Sequence, residues 1–177
     1  MSFELLLNIL EYKTFVVRKD FEQAQKLLPS IPKDHHNKIA RFLEAQGFQE
    51  QALEIATDPD YRFELAVHLG RLEEVVSIVA DSPTDSKWRQ LGDLAVSSGK
   101  FSLAVDCFTK ARDYPALLLL HTSMGNREGV LKLAAAASAD GRTNVAFIAS
   151  FLTCDLEACL KLLCDTGRAP EAAMLAR

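Results

Sequence analysis

The chain has 177 residues, 49% of them hydrophobic, with 20 Lys+Arg against 24 Asp+Glu and a formal net charge of −4. That length and apolar share suit one packed domain or one uninterrupted repeat array and exclude wholesale disorder. The mild acidity and interspersed basic residues exclude a nucleic-acid surface, and no apolar run approaches the roughly 18 residues that span a bilayer.

Met1-Ser2-Phe3-Glu4-Leu5-Leu6-Leu7 carries an acidic residue where a secretory leader is basic, and no small-residue cleavage site follows, so a helix is expected from about Phe3. Arg18-Lys19 and the looser Lys33 to Arg41 are the densest basic clusters and read as solvated helix faces. Asp20-Phe21-Glu22-Gln23 predicts a capped helix start, with Gln23 at the third helical position. Pro32, Pro59 and Pro115 suit first helical positions, where a missing N–H costs nothing, and Asp58 and Asp113 suit the caps before two of them. His35 and His36 are adjacent, so on a helix they face different ways and hold no shared metal. His68 and His121 fall inside helical units and read as packing residues.

Gly47, Gly70, Gly99 and Gly125 end apolar-periodic stretches, as glycine does where a left-handed residue closes a helix. Five residues beyond each stands a small or apolar residue: Ala52, Val75, Ala104 and Val130. Gly167 leads likewise to Ala172, and Cys154 takes the glycine place before Cys159. The single Asp140-Gly141 falls between helical stretches. From Gly47 to Cys154 the turns recur every 23 to 29 residues, with a last step of 13 to Gly167, which predicts repeated helix–turn–helix units.

The clearest unit runs from Trp88 to Ala111. Trp88, Leu91 and Ala95 share one helix face, and Phe101, Ala104, Phe108 and Ala111 share the next, with Gly92 and Ala104 small enough for close backbone approach. This spacing follows the tetratricopeptide pattern. It predicts rings at Trp88 and Phe108 filling space toward neighbouring pairs. The stretches Val145 to Leu152 and Leu117 to Leu120 are apolar almost all round, so burial on both sides is expected. The fold expected is all-α, a right-handed α–α superhelix (a TPR-like α-solenoid) of about thirteen helices, with 1–177 as one domain. The packing frame comprises Gly47, Ala52, Gly70, Trp88, Leu91, Gly92, Ala95, Gly99, Phe101, Ala104, Phe108 and Gly125.

Chemistry finds little support. Cys107, Cys154, Cys159 and Cys164 form no Cys-x-x-Cys pair and lie in apolar stretches, the usage of a reducing compartment. Asp165-Thr166-Gly167 resembles an aspartic protease tripeptide, but such an enzyme needs two facing loops, and here the tripeptide ends an amphipathic helix. No nucleotide, hydrolase or zinc motif occurs, so no catalytic, cofactor-binding or metal-ligating residue is assigned and no cofactor is expected.

Several blocks carry a family resemblance. Glu11-Tyr12-Lys13-Thr14, Leu28-Pro29-Ser30-Ile31-Pro32-Lys33, Ala40 to Phe48, Thr57 to Ala66, Asn144-Val145-Ala146-Phe147 and Thr166 to Ala173 resemble, in order and spacing, the beta-prime subunits of the coatomer, the COPI vesicle coat. The resemblance runs from near residue 5 to the end. It implies that the chain is a piece of a longer protein whose two β-propellers precede the solenoid and carry cargo dilysine recognition. It further implies pairing with the solenoid of the coatomer alpha subunit and contact with other coatomer subunits. The place implied is the cytoplasm, peripheral on Golgi membranes and COPI vesicles, without membrane insertion. The competing function is a TPR-like peptide- or protein-binding adaptor. Such adaptors use a basic row to hold a peptide carboxylate, and no such row is evident at the glycine-anchored period.

Overall fold

A computed structural model describes the backbone of residues 2–177 and the side chains of residues 7–177. Among these residues there are thirteen α-helices and no strand. In chain order they are α1 (Ser2–Val17), α2 (Phe21–Leu27), α3 (His36–Ala45), α4 (Gln49–Ile55), α5 (Pro59–His68), α6 (Leu72–Asp81), α7 (Asp85–Ser97), α8 (Phe101–Lys110), α9 (Tyr114–Ser123), α10 (Arg127–Ala139), α11 (Thr143–Leu152), α12 (Leu156–Asp165) and α13 (Ala169–Leu175). They fall into two compact units, Met1–Pro83 and Thr84–Arg177.

In the first unit, α1 packs on α2, α3 on α4 and α5 on α6. Its core includes Tyr12, Val16, Ile39, Leu43, Leu65, Val75 and Val79. Each large aliphatic side chain buried in this way contributes roughly 1.5–3 kcal/mol. Two joints here differ in kind. Between α4 and α5, Asn37 Oδ1 accepts from the Thr57 amide at 3.0 Å, the Thr57 hydroxyl at 3.0 Å and the Asp58 amide at 3.2 Å. Asp58 then caps α5, accepting from the Asp60 amide, with Pro59 at the first helical position. Between α2 and α3 the chain makes two short 3-10 turns, Leu28–Ser30 and Lys33–His35. Pro32 therefore precedes a 3-10 turn and does not open a helix, contrary to the sequence expectation. Its ring pushes Ile31 into extended backbone (φ −99, ψ 125), and α3 begins only at His36.

In the second unit, each helix packs on the next from α7 to α13, and α9 also meets α11. The core includes Leu91, Ala95, Cys107, Phe108, Leu117, Leu120, Leu133, Ala149, Cys159 and Leu163. Here the expectation of helices buried all round fails. In α9, Leu119 is 72% exposed, and in α11, Ile148, Phe151 and Leu152 are exposed. Each helix packs along the stripe that its neighbours cover, which in α11 holds Ala146, Ala149 and Ser150. The apolar residues off that stripe stay open.

Candidate functional site

Four of the residues singled out by the sequence, Gly47, Gly70, Gly99 and Gly125, stand at helix turns. Nine residues adopt left-handed backbone: Lys19, Gly47, Gly70, Gly99, Arg112, Gly125, Gly141, Cys154 and Gly167. Each closes one helix in the same way. Its own amide donates to the carbonyl three residues back, and the following amide donates to the carbonyl five residues back, as in Gly99 to Val96 and Lys100 to Ala95. This double hydrogen bond satisfies carbonyls that a helix end would otherwise leave open.

The turn also sets the packing register. Five residues after the left-handed position stand Ala24, Ala52, Val75, Ala104, Leu117, Val130, Ala146, Cys159 and Ala172, and every one is buried. At every turn but that of Lys19, the residue four before the left-handed position is buried too: Leu43, Ala66, Ala95, Phe108, His121, Ala137, Ser150 and Leu163. One backbone motif thus delivers a core side chain from each of the two helices it joins.

Gly47, Gly70, Gly99 and Gly125 all take left-handed φ, and a Cβ at any of them would meet nothing within 4 Å. Their role is conformational. Gly92 serves a different purpose, because a Cβ there would lie 2.5 Å from Phe108 Cε1. The Phe108 ring therefore fills the space over Gly92 within its own helix pair, where the sequence reading sent it toward a neighbouring pair. Leu91, Ala95, Ala104 and Ala52 are fully buried. Two large side chains of the frame are not. Phe101, the first residue of α8, is 45% exposed. Trp88 is half-buried, with the Lys110 ammonium 4.1 Å from its ring centroid.

Sequence reasoning missed the left-handed turns at Lys19, Arg112 and Gly141, although the register offered a signal. At each of the three non-glycine turns an aspartate follows: Asp20, Asp113 and Asp155 accept from the amides of Gln23, Ala116 and Ala158. Left-handed backbone costs a side-chain-bearing residue roughly 1–2 kcal/mol, and an Asp cap returns about 1. Among the glycine turns the next residue is Phe48, Arg71, Lys100, Asn126, Arg142 or Arg168, of which only Asn126 caps through its side chain.

His121 occupies the register position that holds Leu43 or Phe108 elsewhere. It is 9% exposed, and Gly129 on α10 leaves room for its ring. Burial lowers its pKa below the ordinary 6.5. Its Nδ1 lies 3.4 Å from Asn126 Nδ2, and it borders a cleft of about 440 Å³ with Tyr114 and Lys132. Cys107 and Cys159 are buried, and desolvation raises both thiols, which suppresses thiolate chemistry. Among the described residues no group of three or more His, Cys, Asp or Glu side chains stands placed to hold a metal, and no helix is long and apolar enough to cross a membrane.

The chain is similar over its whole length to known proteins. It is 52% identical over its whole length to Coatomer subunit beta'-1 of Arabidopsis thaliana, of which it covers 19%. It is 53% identical to Coatomer subunit beta'-2 of the same plant and 51% identical to Coatomer subunit beta' of Mus musculus, covering 19% and 20% of those proteins. The chain thus spans about a fifth of the length of these curated relatives. The COPA/B TPR domain matches residues 12–177, which include every left-handed turn described above. The chain belongs to the COPA/B TPR domain family.

Proposed function

We propose that this chain is a structural module of a coatomer subunit, a scaffold in the COPI vesicle coat. The observation that carries this reading is the match of the entire chain, at about half identity, to coatomer beta' subunits of plants and mammals. The register supports it: eight of the nine turns place core residues on both helices they join, an arrangement suited to bearing load and presenting surface. In this reading 1–177 acts as one module of a longer protein, its role is structural and not catalytic, and its packing frame is the set of turn and core residues above. Its partner is the alpha-subunit solenoid, and together they build the outer cage that serves transport between the Golgi and the endoplasmic reticulum. The protein works in the cytoplasm, peripheral on Golgi membranes, and leaves cargo dilysine binding to propellers elsewhere in the subunit. Co-purification with the alpha-subunit solenoid at low salt tests the pairing. Retention of the two as a stoichiometric complex is expected, and separate elution would refute it.

A further inference from the structure

The antiparallel course of the second unit brings alternate turns to the same end. The Arg112 turn, between α8 and α9, and the Gly141 turn, between α10 and α11, flank a cleft of about 420 Å³. Arg89, Arg112 and Arg142 line it, with Asp113, Tyr114 and Asn144. We propose that this cleft docks an acidic segment of a partner protein, with the segment's carboxylate taken by Arg142 and Arg112.

The cleft's own charges leave room for one carboxylate. Asp113 is fully engaged: Oδ2 faces Arg89 Nε at 2.6 Å while Oδ1 caps α9. Asp140, at the cleft's edge, accepts the Tyr114 hydroxyl at 2.5 Å, which leaves Arg112 Nη1 only 3.7 Å from the same oxygen. The Tyr114–Asp140 hydrogen bond raises the phenol pKa, so Tyr114 stays a neutral donor. Arg142 makes no ion pair among the described residues. Three guanidiniums against two carboxylates therefore leave one positive charge unmatched. A planar guanidinium binds a carboxylate through two parallel hydrogen bonds.

Arg112 sharpens the assignment. It holds left-handed backbone at φ 51, where six of the nine turns use glycine, so the charge stands there despite a backbone cost. A lipid surface is flat and would touch the rim, where Asp140 is exposed. An acidic peptide side chain enters the cleft. The inference is independent of pairing with the alpha-subunit solenoid, and it supplies a basic site at the turns that the sequence reading did not see.

Fluorescence anisotropy of a labelled hexaglutamate peptide with the full chain at low salt tests the site. Saturable binding that weakens as salt rises is expected. Arg142→Gln and Arg112→Gly should each weaken it about tenfold. Lys100→Gln, at the other end of α8, should leave it unchanged. Arg112→Gly relieves the left-handed backbone, so its thermal melt should hold or rise, which separates lost binding from lost folding. Absence of saturable binding, an equal loss with Lys100→Gln, or tighter binding of a phosphoserine peptide or of phosphatidylserine vesicles would each overturn the proposal. Co-purification with the alpha-subunit solenoid should persist in Arg142→Gln, so failure of one reading is distinguishable from failure of the other.

Discussion

Phe108 sits where a side chain at Gly92 would begin: a Cβ on Gly92 would lie 2.5, 2.8 and 2.9 Å from three atoms of the Phe108 ring. His121 stands in the same relation to Gly129. Of eight glycines in the chain, six form left-handed turns and these two make room for a ring carried by the helix they face.

That relation predicts a change of sign. Gly92→Ala gains roughly 1 kcal/mol of helix propensity but overpacks the ring at about 1–3 kcal/mol, so it should destabilise. In a Phe108→Ala background the clash is gone, and adding Gly92→Ala should stabilise by up to about 1 kcal/mol. Urea denaturation of the four proteins reads both steps. Additive effects would mean that the ring and the glycine do not interact.

Gly99 should fail for another reason. A Cβ there meets nothing within 4 Å, so Gly99→Ala should cost only the left-handed backbone penalty, roughly 1–2 kcal/mol. The reverse change at Cys154 (φ 61) should stabilise, with Cys154→Gly gaining about 0.5–1 kcal/mol after the entropy of the freer unfolded chain is subtracted. Asp155→Ala removes the adjoining cap and should cost about 1 kcal/mol. Thermal melts of the three variants test the set.

His121 gives the fold a pH dependence. Its folded pKa lies below its unfolded value, so the unfolded chain binds the proton more readily. Stability should therefore be level above about pH 6.5 and decline as pH falls beneath it. Comparing denaturation midpoints of the native chain and His121→Gln between pH 7.5 and 5 isolates the contribution. An identical slope in both would assign the dependence to other groups.

Trp88 is the single tryptophan, so its emission reports this site alone. Half-buried, it should cost about 2 kcal/mol on Trp88→Ala, less than a fully buried ring would. Lys110→Ala should change the emission intensity and cost about 0.5–1 kcal/mol, because it removes the ammonium over the ring. Unchanged fluorescence would place the lysine in solvent.

What the sequence made legible follows from which residues advertise their conformation. Gly47, Gly70, Gly99 and Gly125 announce left-handed turns because glycine alone occupies that backbone without strain. Lys19 and Arg112 conceal theirs, since their side chains give no hint of a positive φ, and only the following aspartate betrays it. Periodicity located the buried stripe at Leu91, Ala95 and Ala104 but misjudged Phe101, since position within a helix, and not hydrophobicity, decides cover at its first residue. It likewise overstated burial in α11, where composition is apolar on faces that no neighbour reaches. The arginine cleft was invisible because Arg89, Arg112 and Arg142 meet only once alternate turns are stacked.

The left-handed turns have a mechanical consequence. In the second unit they recur at Gly99, Arg112, Gly125, Gly141, Cys154 and Gly167, so consecutive helices are joined with no slack chain between them. Tension along the backbone then has no loop to straighten. Releasing chain requires unravelling whole helices, and each thirteen-residue step from Gly99 to Arg112 or from Cys154 to Gly167 has an extended contour of about 45 Å. The unit thus holds no slack loop to give under small loads, and releases chain in discrete steps under large ones.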